Sequence, residues 1–168
     1  GIGRVARALP RAVAAPGDLA ARADLALGAL HSGMALANAG LGAVHGFAAP
    51  IGGLFPAPHG AVCAALLAPV WRANLAALRA RAPQHPALAR MAEVARWLTG
   101  EPTATADEAA DFCAGLCRRL AIPRLGAWGV RSSDMPAIVE KAAAASSMKG
   151  NPIPLTPTEL AAALEAAL

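Results

Sequence analysis

Residues 25–71 contain no Asp, Glu, Lys or Arg, although charged residues occur throughout the rest of the chain. A charge-free stretch of this length is either buried in a folded domain or placed in a membrane. Crossing a membrane takes about 20 strongly apolar residues. Here the stretch is interrupted by His31, Ser32, Asn38 and His45, and much of its apolarity comes from Ala and Gly. The pattern favours buried helices, and we expect no membrane partner.

The composition indicates that these helices belong to an all-α fold. The 168-residue chain is 56% hydrophobic but only 4% aromatic, and it contains no Tyr. Alanine, the best helix former, supplies much of the hydrophobic fraction. Residues that favour strands rarely cluster. No repeat or inter-domain linker is visible, so the sequence predicts one helical domain over 1–168, with seven to nine helices and no sheet.

Proline, glycine and capping residues predict where these helices begin and end. Asp18 is a favourable N-cap for a long, central and buried helix over 18–38, which Gly40 would end. A second long, buried helix is predicted over 60–81. The other predicted helices are 1–9, broken at Pro10, a short one over 41–49, and then 86–98, 107–120, 134–147 and 157–167. Pro50, Gly52, Gly53, Pro56 and Pro58 predict irregular structure after residue 49. Thr156-Pro157-Thr158-Glu159 is a capping box for the last helix.

Charge and cysteine content restrict the environment and the partners. Cys63, Cys113 and Cys117 are an odd number of cysteines, which is typical of free thiols in a reducing compartment, so we expect a cytoplasmic location. The Cys113–Cys117 pair is interpreted as small buried residues rather than a metal site. The net charge is +4, but only Arg118-Arg119 forms a dense basic spot, and aromatic residues for base stacking are few. We therefore expect no nucleic-acid partner.

Two histidines lie in the charge-free stretch. His45 and His59 bracket the segment HGFAAPIGGLFPAPHG, in which a helix end, a tight loop and a helix start form a hairpin. A hairpin brings its two ends together, so the imidazoles can supply two ligands to a divalent transition metal. The alternative is a pair of histidines whose nitrogens bond backbone carbonyls. Spacing alone leaves both interpretations open.

The same region resembles a known family. The stretch SGMALANAGLGAVHGFAAPIGGLFPAPHGAVCAALLAPV (32–70) is similar to the signature region of the iron-containing alcohol dehydrogenases, within the dehydroquinate-synthase-like superfamily. The similarity continues at Asn74, at Ile122-Pro123 and in SSMKGNPIPLTPTEL (146–160), and it covers essentially the whole chain.

This resemblance implies a fold and a reaction. Members have an N-terminal α/β domain that binds NAD(P) and a C-terminal helical domain, and this chain resembles the helical domain only. It would be a fragment, or one half, of a two-domain enzyme that transfers hydride between an alcohol or carbonyl substrate and the nicotinamide. The family's metal, Fe(II) or sometimes Zn(II), has one Asp and three His ligands, and His45 and His59 match two of them. The other two lie upstream, in an Asp-x-x-x-His helix. The resemblance assigns no catalytic or nicotinamide-binding residue within this chain.

One position departs from the family pattern. Many members have a second histidine four residues after the first, where this chain has Ala49. Ala49 cannot relay a proton, so either water or another group does so or the substrate differs. The alternative function is a non-catalytic helical domain that kept the fold and lost the chemistry.

Three further expectations concern the chain alone. With half of the ligands, it would bind metal weakly and show no dehydrogenase activity, because activity needs its partner, the upstream nucleotide-binding domain. Phe47, Leu54 and Phe55 would form apolar walls that exclude water from the metal site. Phe47, Ile51 and Phe55 would also form an exposed patch that favours self-association.

Overall fold

Helices separated by short loops account for nearly all of the backbone. The structure, a computed structural model, describes residues 1–168. The eight α-helices are α1 (Ile2–Ala14), α2 (Leu19–Ala39), α3 (Ala43–Leu54), α4 (His59–Arg81), α5 (Ala87–Thr99), α6 (Ala106–Arg119), α7 (Met135–Ala144) and α8 (Pro157–Glu165). Three short 3-10 helices lie at Leu125–Trp128, Ser132–Asp134 and Ser146–Gly150. No strand is present, which confirms the predicted all-α class and helix number.

The caps predicted from the sequence are present. The Asp18 side chain accepts a hydrogen bond from the Ala21 backbone N–H at 3.0 Å, at the start of α2. At the start of α8, the Thr156 hydroxyl accepts from the Glu159 N–H, and the Glu159 carboxylate accepts from the Thr156 N–H. Each bond satisfies a backbone donor that has no partner within its helix, which fixes the residue where the helix begins.

Helix α4 is the centre of the main core. Its inward residues pack with α3, α7 and α8 in a cluster that includes Phe47, Ile51, Leu66, Ile138 and Leu164, all fully buried. By length and composition α4 is also the one helix apolar enough to span a membrane, and α2 with α3, bent by 102° at their junction, pass the same test as a pair. Eight buried residues along α4 identify it as the core helix that the sequence predicts over 60–81.

Helix α2 contradicts the prediction of a central, buried helix over 18–38. Its bounds agree closely with the prediction, but only Ala21 and Gly28 are buried along it. It packs mainly on α1, and its large apolar side chains are exposed: Leu19, Leu27, Leu30, Met34 and Leu36. The apolar residues of α2 predict a buried helix, but the sequence does not reveal that no other helix of this chain covers them.

Two prolines lie inside helices that the sequence predicts they would end. Helix α1 continues through Pro10 to Ala14, and α3 continues through Pro50 to Leu54. An interior proline removes one helical hydrogen bond and crowds the preceding turn. In α3 the bonds around Pro50 are maintained because Phe47 and Ile51 are buried in the core on either side of it. Tertiary packing therefore outweighs local propensity.

An open apolar groove lies between the α1–α2 pair and helices α4 to α6. Its volume is about 940 Å³. Residues that line it include Leu9, Leu67, Trp97 and Phe112, together with Cys113 and Cys117. Burial, and then the neighbouring Cys117, raise the pKa of Cys113 to about 11. Both thiols are therefore protonated near neutral pH, in agreement with their interpretation as small apolar residues.

The segment before α3 lies directly against the segment after α7. A Cβ atom added to Gly150 would overlap the carbonyl oxygen of Leu41 and lie 3.0 Å from its carbonyl carbon. A Cβ added to Gly42 would lie 3.1 Å from the Oδ1 of Asn151. Backbone cannot yield as a flexible side chain can, so glycine at position 150 is required by this approach of two chain segments.

Gly150→Ala is therefore expected to destabilise the chain by about 1–3 kcal/mol, because the new methyl group forces backbone apart. The measurement is the free energy of unfolding from urea titration followed by circular dichroism. Gly52→Ala is the matched control. Gly52 is an exposed residue within α3 and has no atom within 4 Å of its added Cβ, so this substitution should be neutral or slightly stabilising. Equal stabilities for the two variants would contradict the steric account.

Candidate metal centre

Helices α3 and α4 are joined by the short loop 55–58 and pack against each other, and one histidine lies near the start of each helix. His45 is in the first turn of α3, and His59 is the first residue of α4. Pro58 is the N-cap of α4 and has φ −61° and ψ 128°. Its conformation is extended, so the helix begins at the next residue, His59. His45 is half-buried and His59 is exposed.

The two imidazole rings face each other. Their centroids are 5.4 Å apart and their planes are tilted by 49°. This agrees with the expectation that the hairpin brings both rings together. Burial, and to a smaller degree the charge of His59, lower the pKa of His45, which favours its neutral form. A neutral imidazole keeps the lone pair that a metal ligand needs.

A third donor, Cys63, completes a cluster with the histidines. Its Sγ lies 3.5 Å from the Nε2 of His59 and 3.9 Å from the Nε2 of His45. The potential ligand atoms of the three residues all lie within 4.8 Å of one another, and no Asp or Glu belongs to this group. Cys63 is half-buried, and burial raises the pKa of its thiol.

The spacing between His59 and Cys63 is the feature of the sequence that could have predicted this cluster. Cys63 follows His59 by four residues, and α4 begins at His59, so the two side chains lie on one helix face one turn apart. The other histidines are elsewhere, with His31 in α2 and His85 before α5.

The apolar surroundings of the site differ from the expectation. Phe47 and Ile51 are fully buried in the core and Phe55 is half-buried, so they do not form the exposed patch that the sequence analysis predicted. Leu54 is exposed, so it does not close the site in this chain, and the predicted apolar wall of Phe47, Leu54 and Phe55 stays a prediction. The burial of Phe47 and Ile51 follows from the continuation of α3 through Pro50. Residues four positions apart on one helix lie on the same face, and here that face is turned to the core.

A long-range hydrogen-bond network holds α3 in place. The first turn of α3 has no side-chain cap of its own, because its N-cap is Gly42. Instead the Asn151 Oδ1 accepts from the Ala43 N–H at 3.1 Å and from the Asn74 Nδ2 at 3.2 Å. The Asn151 Nδ2 donates to the Asn74 Oδ1 at 2.6 Å and to the Ile153 carbonyl at 2.7 Å. This network fixes the turn of α3 that carries His45 against α4, which carries His59.

Known proteins of similar sequence identify the family. Residues 1–168 match the sequence model described as Fe-containing alcohol dehydrogenase family, C-terminal. The chain belongs to this family. It is 36% identical to the 1,3-propanediol dehydrogenase of Klebsiella pneumoniae over 94% of its own length and 40% of that protein. It is also 36% identical to the lactaldehyde reductase of Escherichia coli K12, over 88% of its length and 37% of that protein.

Solved structures agree with this assignment. A crystal structure of 1,3-propanediol oxidoreductase superimposes on 99% of the chain with a TM-score of 0.88 and 34% identity, over 43% of that protein. An alcohol dehydrogenase from Oenococcus oeni superimposes on 99% of the chain with a TM-score of 0.84 and 30% identity. The chain thus spans about two fifths of the length of these relatives. Their fold confirms the expected helical domain of the iron-containing alcohol dehydrogenases.

Asn151→Ala is expected to destabilise the chain by about 1–3 kcal/mol, because it leaves the buried Asn74 amide and the Ala43 N–H without partners. Since the network orients α3, the variant should also change the amide NMR signals around His45. The measurements are urea unfolding and a ¹H–¹⁵N correlation spectrum. Asn38→Ala is the control, because Asn38 is exposed and bonds only a carbonyl of its own helix. A variant of Asn151 as stable as the Asn38 variant would show that the network is dispensable.

Proposed function

We propose that this chain is the metal-binding part of an NAD(P)-dependent alcohol dehydrogenase. The observation that carries the proposal is the convergence of His45 and His59 on adjoining helices, in a chain of the Fe-containing alcohol dehydrogenase family. The proposed reaction transfers a hydride between a small alcohol, aldehyde or ketone and a nicotinamide. Relatives whose names describe oxidation of a diol or reduction of an aldehyde support this substrate class.

The donor set fits the proposed metal. Imidazole nitrogens suit both iron and zinc, and the cluster offers two of them with their ring nitrogens turned to one point. A bound Fe(II) or Zn(II) would act as a Lewis acid that polarises the substrate oxygen. The chain itself contributes the orientation of the donors. The core around Phe47 and Ile51 fixes α3, and the Pro58 turn fixes the start of α4.

Proton transfer follows a route that does not use position 49. Ala49 is exposed and lies one turn after His45 on α3, where many family members have histidine. Its methyl group neither accepts nor donates a proton. We propose that solvent, which reaches this exposed face, exchanges the alcohol proton in this enzyme.

The exposed apolar face of α2 is a candidate interface with the remaining part of the enzyme. Relatives are more than twice as long as this chain, and the large apolar side chains of α2 are exposed, with Leu30 and Met34 each 58% accessible. Apolar side chains at this density on a single helix are typical of an interface. We propose that the NAD(P)-binding part of the enzyme and the helices that join it cover α2. The chain alone would instead self-associate through α2, not through Phe47 and Ile51.

The isolated chain is expected to be inactive, because the nicotinamide is proposed to bind to the other part of the enzyme. The measurement is NAD(P)-linked oxidation of short alcohols with added Fe(II) or Zn(II). Activity should arise when a nucleotide-binding part of an enzyme of this family is supplied together with the chain. Turnover by the isolated chain would contradict the proposal that the nicotinamide binds to the other part of the enzyme.

In that restored enzyme, His45→Ala or His59→Ala should lower kcat by at least about a hundredfold, because each removes a donor that holds the metal. The measurements are kcat and the bound metal content of each variant. His85→Asn, an exposed residue at the start of α5, is the matched control and should retain activity. If the His45 and His59 variants remain active, these two histidines do not hold the catalytic metal; if no activity can be restored at all, the chain is the non-catalytic helical domain considered above.

A further inference from the structure

Cys63 is the one member of the cluster to which the family resemblance gives no role. Its Sγ lies within 4 Å of both histidine nitrogens, whereas Cys113 and Cys117 lie at the apolar groove with no histidine nitrogen near enough to form a cluster. The Cys63 sulfur therefore lies within reach of both imidazoles and can share a metal ion with them. We propose that Cys63 is a metal ligand, so that this chain by itself forms a three-donor site of two nitrogens and one sulfur. This inference rests on the proposed function, which assigns the metal to His45 and His59.

The two sulfur–nitrogen distances fit a tetrahedral ion. With a Zn–S bond of about 2.3 Å and Zn–N bonds of about 2.0–2.1 Å, tetrahedral geometry separates a sulfur and a nitrogen ligand by about 3.6 Å. The two observed separations, 3.5 Å and 3.9 Å, lie on either side of this value. A small rotation of the His45 ring closes the longer one. In the isolated chain the three donors leave a fourth tetrahedral position, which water or one of the upstream ligands would fill.

Helix geometry holds the pair His59–Cys63 in this arrangement. Both residues belong to α4, four positions apart, so the separation of their Cβ atoms is set by the helix and not by a flexible loop. His45 comes from α3, whose buried face packs on α4 through Phe47, Ile51, Val62 and Leu66. The entropy lost when a metal binds is consequently small, because the scaffold is already ordered.

When a metal ion binds at this site, it replaces the proton of the Cys63 thiol. A divalent ion forms a bond to Cys63 Sγ, the S–H bond breaks, and the proton leaves to solvent; no electron is transferred. Thiolate is a soft ligand that favours zinc over iron relative to an all-nitrogen and oxygen set. The sulfur therefore shifts the preference of this chain toward Zn(II) and strengthens binding beyond what two imidazoles provide.

The test uses the 168-residue chain carrying Cys113→Ser and Cys117→Ser, so that Cys63 is the only thiol. Co(II) serves as a spectroscopic probe for Zn(II). The chain should show a thiolate-to-cobalt charge-transfer band in the near ultraviolet and the intense visible bands of four-coordinate cobalt. Zn(II) affinity is measured by competition with a chromophoric chelator, and Fe(II) affinity is measured anaerobically in the same way.

Cys63→Ser should abolish the charge-transfer band, weaken Zn(II) binding by at least about tenfold and lower the ratio of zinc to iron affinity. Cys63→His should lose the band but retain Zn(II) binding, because it restores a third donor. His45→Ala and His59→Ala should each weaken binding as well. Circular dichroism of every variant shows that the fold is retained, and Cys63→Ala, which favours helix, provides a second thiol-free variant if the serine disturbs α4.

Two outcomes would overturn the inference. One is an unchanged Zn(II) affinity and cobalt spectrum in both the Cys63→Ser and Cys63→Ala chains. The other is the absence of measurable binding by the chain with Cys63 intact. In either case the proposed function stands or fails separately, because it is decided by the activity of the His45 and His59 variants in the restored enzyme.

Discussion

The amide pair of Asn74 and Asn151 is the interaction on which the arrangement of the helices depends. Asn74 is the single buried polar side chain, and Asn151, 77 residues later, satisfies both ends of its amide. Burying an amide without partners is costly, so two amides that satisfy each other specify one alignment of the segments that carry them. The segments are α4, the loop after α7 and, through the Ala43 N–H, the first turn of α3. Apolar packing alone would permit these helices to slide.

The geometry of the His45–His59–Cys63 cluster follows from this alignment. Its donors come from neighbouring parts of the chain, but α3 could rotate about its own axis and turn His45 away from His59. The buried side chains of Phe47 and Ile51 resist that rotation on one side, and the Asn151 contact resists it at the helix start. Gly42 and Gly150 permit the close approach that this contact requires. The position of the imidazoles is thus set by residues that touch neither of them.

Local signals in the sequence predicted much of this structure. Asp18 and the Thr156–Glu159 box placed helix starts correctly, because caps depend on a few adjacent residues. The hairpin predicted that His45 and His59 approach, because its two ends must meet. The predictions that failed depend on what lies across the fold. Whether Pro10 and Pro50 end a helix depends on packing around them, and whether α2 is buried depends on a covering surface that its own residues do not reveal. The position of Cys63 is not among the sequence predictions, because its approach to His59 depends on α4 beginning at residue 59 and not at residue 60 or later.

The residues of the histidine–cysteine cluster and the contact that orients them are completed at different times during synthesis. Only 18 residues separate His45 from Cys63, whereas the Asn151 amide that holds the start of α3 follows Ala43 by 108 residues. As the chain leaves the ribosome, the α3–α4 hairpin therefore emerges with all three donors while the segment containing Asn151 is still to be made. Closing so short a loop costs little entropy. The three side chains can therefore approach one another early in synthesis, but the contact that fixes the start of α3 forms only after the segment around Asn151 has been made.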